Sequence, residues 1–176
     1  MEMYHLRKAS WEDCALLYKW RNDYSTRKQF FSSEEIMMEE HEMWLKNKLR
    51  DATSSIYILE IKGEPAGQAR LDRHEGEGYI SYSISSLFRG QGYGKLLLQL
   101  LENEVAKESM VLVGQVKKDN IASQVIFQSL GYKEKETEEF FEYRKTTSFV
   151  PLKNTDVCEL ENLGNLNENW QSSVLR

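Results

Sequence analysis

Residues 89–95 read Arg89-Gly90-Gln91-Gly92-Tyr93-Gly94-Lys95, and behind them Leu96, Leu97, Leu100, Leu101 and Val105 recur at helical spacing. A glycine-rich turn feeding a strongly amphipathic helix decides the reading of the fold. The first-turn N–H groups of such a helix have no partner inside it and point outward. The glycines let a ligand approach the backbone, and Arg89 and Lys95 add cations, so the stretch reads as a pyrophosphate cradle. It is not a Walker A loop: three residues separate Gly90 from Gly94, and Leu96 follows Lys95 where Ser or Thr would hold Mg²⁺. Nor is it a dinucleotide fingerprint, whose G-x-G-x-x-G spacing follows the first strand of a parallel unit.

Downstream, Met110–Val116 is an unbroken apolar run of the kind found mid-sheet. Asn120 caps a short helix with Val125, Ile126 and Leu130 inward, and Gly131 ends it. Strands over Tyr132–Lys135 and Glu139–Lys145 follow. Upstream, Ser55–Ile61, Ala66–His74 and Tyr79–Ser85 read as an antiparallel meander, turned by Lys62-Gly63-Glu64-Pro65 and Glu75-Gly76-Glu77-Gly78. A first strand over Met1–Ala9 precedes a helix capped by Ser10, with Asp13 in the capping-box position, and closed by Arg21-Asn22-Asp23. Tyr24–Phe31 is a loop rich in basic and aromatic residues. Ser32 or Ser33 caps the next helix, with Glu34 and Glu35 at its positive end, and Met37, His41, Trp44, Leu45 and Leu49 recur through about Arg50. The Asn-, Leu- and Glu-rich end reads as an extension with one short helix around Asp156–Leu163. Residues 1–149 are therefore expected as the domain and 150–176 as a C-terminal extension.

The 176 residues are 40% hydrophobic and 29% charged, enough for one core without a disulfide or metal staple and unlike a disordered chain. No apolar run reaches the ~18 residues of a membrane span and the N-terminus has no signal-peptide core, so a cytoplasmic protein is expected. The net charge of −5 argues against a nucleic-acid partner, but leaves room for a small anion held by backbone N–H groups. Cys14 and Cys158 read as ordinary thiols, and His5, His41 and His74 lack metal-ligand spacing.

Together the two motif blocks resemble the GNAT superfamily of acyl-CoA N-acyltransferases. Its R/Q-x-x-G-x-G/A signature is matched by Arg89, Gly92 and Gly94. Its N-x-x-A/S-x-x-x-[aromatic]-x-x-x-G-[F/Y] block is matched by Asn120, Ser123, Phe127, Gly131 and Tyr132. The resemblance implies an α+β fold, a mostly antiparallel mixed sheet with flanking helices and two splayed central strands, Tyr79–Ser85 and Met110–Val116. It implies acetyl-CoA as co-substrate in the V between those strands. Backbone groups of Ser83, Ile84 and Ser85 would pair with the pantetheine arm. The N–H groups of Gly90, Gln91, Gly92, Tyr93, Gly94 and Lys95, beside Arg89, would take the pyrophosphate. Asn120, Ser123 and Phe127 would lie along the cofactor.

The order Trp20-Arg21-Asn22-Asp23, Arg27, Glu39-Glu40-His41, Trp44 is similar to the branch containing amino-sugar-nucleotide N-acetyltransferases of surface-polysaccharide and pseudaminic-acid-type pathways. Gly67–Asp72 and Ile80–Ser83 are similar to that branch too, while ribosomal-protein N-terminal acetyltransferases share part of the W-R-N start. The acceptor implied is a small-molecule primary amine on a nucleotide-linked sugar. Arg21, Arg27 and Arg70 suit its phosphates. Trp20, Tyr24 or Trp44 suit a base or sugar ring, and Asn22 belongs to the same stretch. Gln68, Arg70 and Asp72 alternate along one strand face. His41, Asp72 and Glu77 are the candidate bases. Where the resemblance implies a Tyr that protonates the leaving thiolate, this chain has Phe127, which has no proton to give. Water, Ser123 or a Tyr of another element is left for that role. A protein N-terminus, polyamine or drug as acceptor, and a CoA-binding module without catalysis, stand as alternatives, and a homodimer is left open.

Overall fold

The computed structural model describes residues 3–147. Its strands are β1 (Tyr4–Lys8), β2 (Ser54–Ile61), β3 (Glu64–His74), β4 (Glu77–Ile84), β5 (Val111–Lys117), β6 (Lys133–Glu136) and β7 (Phe140–Thr146). They form one seven-stranded sheet in the order β1-β2-β3-β4-β5-β7-β6, antiparallel everywhere except between β4 and β5. The α-helices are α1 (Cys14–Asn22), α2 (Tyr24–Arg27), α3 (Met38–Arg50), α4 (Tyr93–Glu104) and α5 (Ile121–Ser129). The α+β architecture and the mostly antiparallel mixed sheet agree with the sequence reading.

Strand β2 shows how the two faces are covered. Side chains alternate across a strand, so Ile56 and Ile58 pack with Leu17, Trp20 and Leu45 of α1 and α3. Tyr57, Leu59 and Ile61 face the other way, into the larger core of Leu97, Leu98, Leu101, Leu112 and Tyr143. Helices α1 and α3 thus cover one face, and α4 and α5 the other.

Several local expectations are corrected. Helix α3 does not begin at Ser32 or Ser33; it begins at Met38, with Glu39 and Glu40 in its first turn. Residues 32–36 are held as a strap by side chains of α1 and α2. Arg21 donates to the Ser32 carbonyl (3.0 Å), Arg27 to that of Ser33 (3.3 Å), and Asn22 exchanges two hydrogen bonds with the Ile36 backbone (2.9 and 3.0 Å). The expected loop Tyr24–Phe31 opens with α2, capped by the Asp23 carboxylate on the Thr26 N–H. Both expected hairpin turns are shorter than read: Glu64 and Pro65 already lie in β3, paired with Ile61 and Glu60, and the β3–β4 turn is likewise reduced. Glu75 and Gly76 alone make it, both with positive φ (50° and 81°), as a two-residue hairpin requires. Glu77 and Gly78 are therefore already in β4, opposite His74 and Arg73. The expected extension over 150–176, with its helix and Cys158, lies outside the described residues.

Strands β4 and β5 pair only from Glu77/Val111 to Ile80/Gly114, although β4 runs on to Ile84 and β5 to Lys117. At the point of parting stands Phe127, fully buried, stacked on Tyr143 (5.2 Å between ring centres) and edge-on to Tyr132 and Tyr82. Gly114 makes this possible: a Cβ there would lie 2.3 Å from the Phe127 ring. The splayed V is thus floored by an aromatic pile.

Candidate active site

A cleft of about 690 Å³ follows the V from the Arg89–Gly94 turn to Tyr79 and Asp72. At its outer end Gly92 takes φ 82°, a left-handed conformation open to glycine at little cost, and no side chain caps α4. The Lys95 and Leu96 amides both bond the Gly92 carbonyl (3.1 and 3.2 Å). The amides of Gly92, Tyr93 and Gly94 are left facing forward at the positive end of the helix. Lys95 and Gln91, expected in the cradle, do not line the cleft, and the Lys95 amide is already bonded. Arg89 lines it but is fully engaged. Its Nε donates to the Ile84 carbonyl (2.9 Å), and its two Nη atoms donate to the Ser25 and Thr26 hydroxyls (both 2.5 Å).

Along β4 the backbone available to the cleft is not the expected run of Ser83 to Ser85. The Ser85 N–H donates to the Ala66 carbonyl (2.8 Å), so by ladder alternation Ser83 also faces β3. Tyr82 and Ile84 direct their N–H groups to the open side. Asn120 and Ser123 line the α5 wall, with the Asn120 side chain accepting from the Ser123 N–H (3.2 Å).

A second cavity, of about 290 Å³, lies between α1, α3 and the sheet. It meets the cleft at Phe30, Arg70, Ser81 and Ser83, which line both. Arg21, His41, Trp44, Gln68 and Arg70 come together here. Asn22, Tyr24 and Arg27 do not line it. Asn22 is spent on Ile36, Tyr24 is 64% exposed, and Arg27 is paired with Glu35 (3.1 Å) over the Tyr24 ring. Phe30, which the sequence reading does not single out, lines it, as do Glu40 and Ser81, which fall in the quoted stretches without an assigned role. Glu40 adjoins His41, but nothing in its spacing turned it inward. Phe30 sits in the basic-aromatic segment whose contribution was read from other residues.

Residues 14–132 match the acetyltransferase (GNAT) family. The chain belongs to this family. No curated protein matches it. Among solved structures it is similar to spermidine N-acetyltransferase from Vibrio cholerae in complex with CoA and spermine, at 12% identity and TM-score 0.72, over 82% of this chain and 96% of that one. It is similar to an aminoglycoside acetyltransferase in complex with coenzyme A and kanamycin, at 18% identity and TM-score 0.71, over 81% and 94% of the two chains. A ribosomal-protein-alanine N-acetyltransferase from Brucella melitensis matches at 22% identity and TM-score 0.67, over 81% and 99%. This GNAT protein is an acetyl-CoA-dependent N-acetyltransferase. Its own geometry fits that co-substrate: unpaired amides at a helix N-terminus for phosphate, and an open strand edge for an amide-bearing arm.

The three candidate bases differ sharply. Glu77 lies at the closed start of β4, lines neither cavity, and is bonded to Tyr79 and Arg144, which hold its carboxyl below the usual range. Asp72 reaches the cleft. Burial pushes its carboxyl up, but Lys48 (2.6 Å), Arg70 (2.7 Å) and Ser54 (2.8 Å) more than offset this and hold it below the ordinary value. A carboxylate so neutralised is a poor proton acceptor near pH 7. His41 is 2% exposed, and its Nε2 lies 3.1 Å from the Cys14 carbonyl. A carbonyl only accepts, so Nε2 carries the hydrogen. Burial lowers the His41 pKa, the ring is neutral, and buried Nδ1 holds a lone pair with no protein partner.

Proposed function

We propose that this acetyltransferase acylates the primary amine of a nucleotide-linked amino sugar. The observation that carries the reading is the unspent polar chemistry of the smaller cavity. Arg21 has a buried Nη1 without a partner, beside the unpartnered lone pair of His41 Nδ1. Burial, then the charge of Arg27, destabilises the Arg21 cation, which an anionic oxygen would restore. Arg70 lies over the Trp44 ring (5.6 Å), a second cation beside an aromatic wall. Gln68, Ser81 and Ser83 offer hydroxyl-binding groups at the junction with the cleft. Cations for phosphate, flat rings for a base and small polar groups for sugar hydroxyls suit such an acceptor.

In this reading acetyl-CoA supplies the acetyl group as a thioester. The amides of Gly92, Tyr93 and Gly94 hold its pyrophosphate, and Tyr82 and Ile84 pair with its pantetheine arm. His41 Nδ1 accepts the proton of the attacking amine. Glu40 favours a second reading, a polycationic amine, since a carboxylate in the wall suits ammonium groups.

Thermal-shift titration with CoA present, against a UDP-linked amino sugar, a polyamine, an aminoglycoside and an alanine-led peptide, tests the choice. Stabilisation in proportion to RT ln(1 + [L]/Kd) by the nucleotide sugar, with thiol release on turnover, is expected. Response to the polyamine or the peptide alone would replace it.

A further inference from the structure

A departing thiolate takes a proton more readily if a hydroxyl stands beside it, and Phe127 offers none. The phenols lining the cleft are Tyr79, Tyr82 and Tyr93. Tyr79 has its hydroxyl on the Glu77 carboxylate (2.7 Å), at the end where β4 and β5 still pair. Tyr93 sits in the first turn of α4, packed on Phe88 (6.0 Å), at the phosphate end. Tyr82 stands at the junction between Ser81 and Ser83; those two serines turn to the acceptor cavity, and by strand alternation the Tyr82 ring faces α4 and α5 on the cleft side of the sheet.

The thioester must reach that junction to meet an amine held in the cavity. The Tyr82 hydroxyl is 2.8 Å from Ser123 Oγ in the cleft wall, and its ring is edge-on to Phe127 (6.1 Å between centres). The phenol thus stands one side chain away from the ring that lacks a hydroxyl. Its neighbours Gly94, Ser123 and Phe127 are uncharged, and burial pushes its pKa up to about 12, so it is protonated throughout the working range.

We propose that Tyr82, backed by Ser123, is the proton donor to the departing sulfur, a role Phe127 cannot fill. This rests on the acetyl-CoA cleft described above and not on the identity of the acceptor. As the new C–N bond forms, the C–S bond breaks and the sulfur leaves with the bonding pair. It takes the Tyr82 phenolic proton. Ser123 donates its hydroxyl hydrogen bond to the phenolate oxygen, and a proton from water restores the phenol. The acceptor nitrogen gives up one proton on the cavity side, so the count balances.

The test needs no acceptor. The enzyme–CoA complex is treated with iodoacetamide over a range of pH, and alkylated CoA, not protein, is quantified. The phenol hydrogen bond should lower the midpoint for bound CoA below that of free CoA. Tyr82→Phe should raise it by roughly one pH unit, the worth of one charge-assisted hydrogen bond. Tyr82→Phe combined with Phe127→Tyr should restore it. Ser123→Ala should move it less, and it covers the case in which Tyr82→Phe fails to fold. An unmoved midpoint in Tyr82→Phe with normal CoA affinity, or in Ser123→Ala if only that variant folds, overturns the assignment. Absence of CoA binding by the unsubstituted protein in calorimetry would instead overturn the cofactor site itself.

Discussion

The outer end of the cleft is built from main chain, and the acceptor cavity from side chains. At the outer end the groups facing a ligand are amides of Gly92, Tyr93 and Gly94, set by one left-handed residue and a helix axis. In the cavity they are Arg21, His41, Arg70 and Trp44, brought in from a helix end, a helix middle and a strand. A backbone site suits what every ligand of one class shares, such as a phosphate. A side-chain site can change its ligand by single substitutions while the fold stays. The similar solved structures share the fold at 12–22% identity, and among them are a spermidine, an aminoglycoside and a ribosomal-protein-alanine acetyltransferase.

The strongest attempt to break the contrast is Arg21→Ala. A charge-assisted hydrogen bond contributes about 1.5–3 kcal/mol, so KM for the acceptor should rise roughly 10- to 100-fold. KM for acetyl-CoA should stay put, and steady-state kinetics in both substrates checks it. Gly92→Val tests the other end. Forcing a branched residue into the left-handed region costs about 1–2 kcal/mol, so calorimetry should show CoA affinity down roughly 5- to 30-fold with circular dichroism unchanged.

His41 sharpens the contrast through pH. Burial lowers its folded pKa, so as pH falls through about 6.5 the unfolded chain takes the proton first and stability declines. Asp13 and Asp72, held below their ordinary values, add stability above about pH 4 and lose it only under that, so they do not contribute to this slope. Urea midpoints at pH 7.5 and 5.5 should fall toward acid in the natural chain. In His41→Phe that fall should be smaller. The smallest effect is expected from Arg27→Ala: a pair with a mostly exposed partner contributes up to about 1 kcal/mol, so acceptor KM should move less than about fivefold.

What was legible in the sequence follows the same division. Gly92 and Asn120 could be read because backbone geometry at a helix start demands particular residue types. His41 and Trp44 could be placed on one wall because helical spacing sets their face. Arg89 was read as a ligand for phosphate. Two of its three hydrogen-bond partners, the Ser25 and Thr26 hydroxyls, lie more than sixty positions away and carry no local signal. Ser32-Ser33-Glu34-Glu35 has the composition of a helix start, but Arg21, Arg27 and Asn22 capture its backbone, and tertiary contacts win over capping preference. Glu77 was misplaced because Gly76 and Gly78 offer two equal ends for one turn, and only the ladder with β3 selects the first.

The guanidinium of Arg89 also ties the wall of one cavity to that of the other. One of its nitrogens grips the last carbonyl of β4, beside the cofactor edge, and the others grip α2, whose chain leads directly to Phe30 in the acceptor wall. Sites joined through one such strut exchange free energy in equal amounts. By whatever factor an occupied cavity changes the affinity for CoA, bound CoA changes the affinity for the acceptor by that same factor. Arg89→Ala should remove whatever share of that factor the strut carries, which paired CoA titrations with and without the acceptor check.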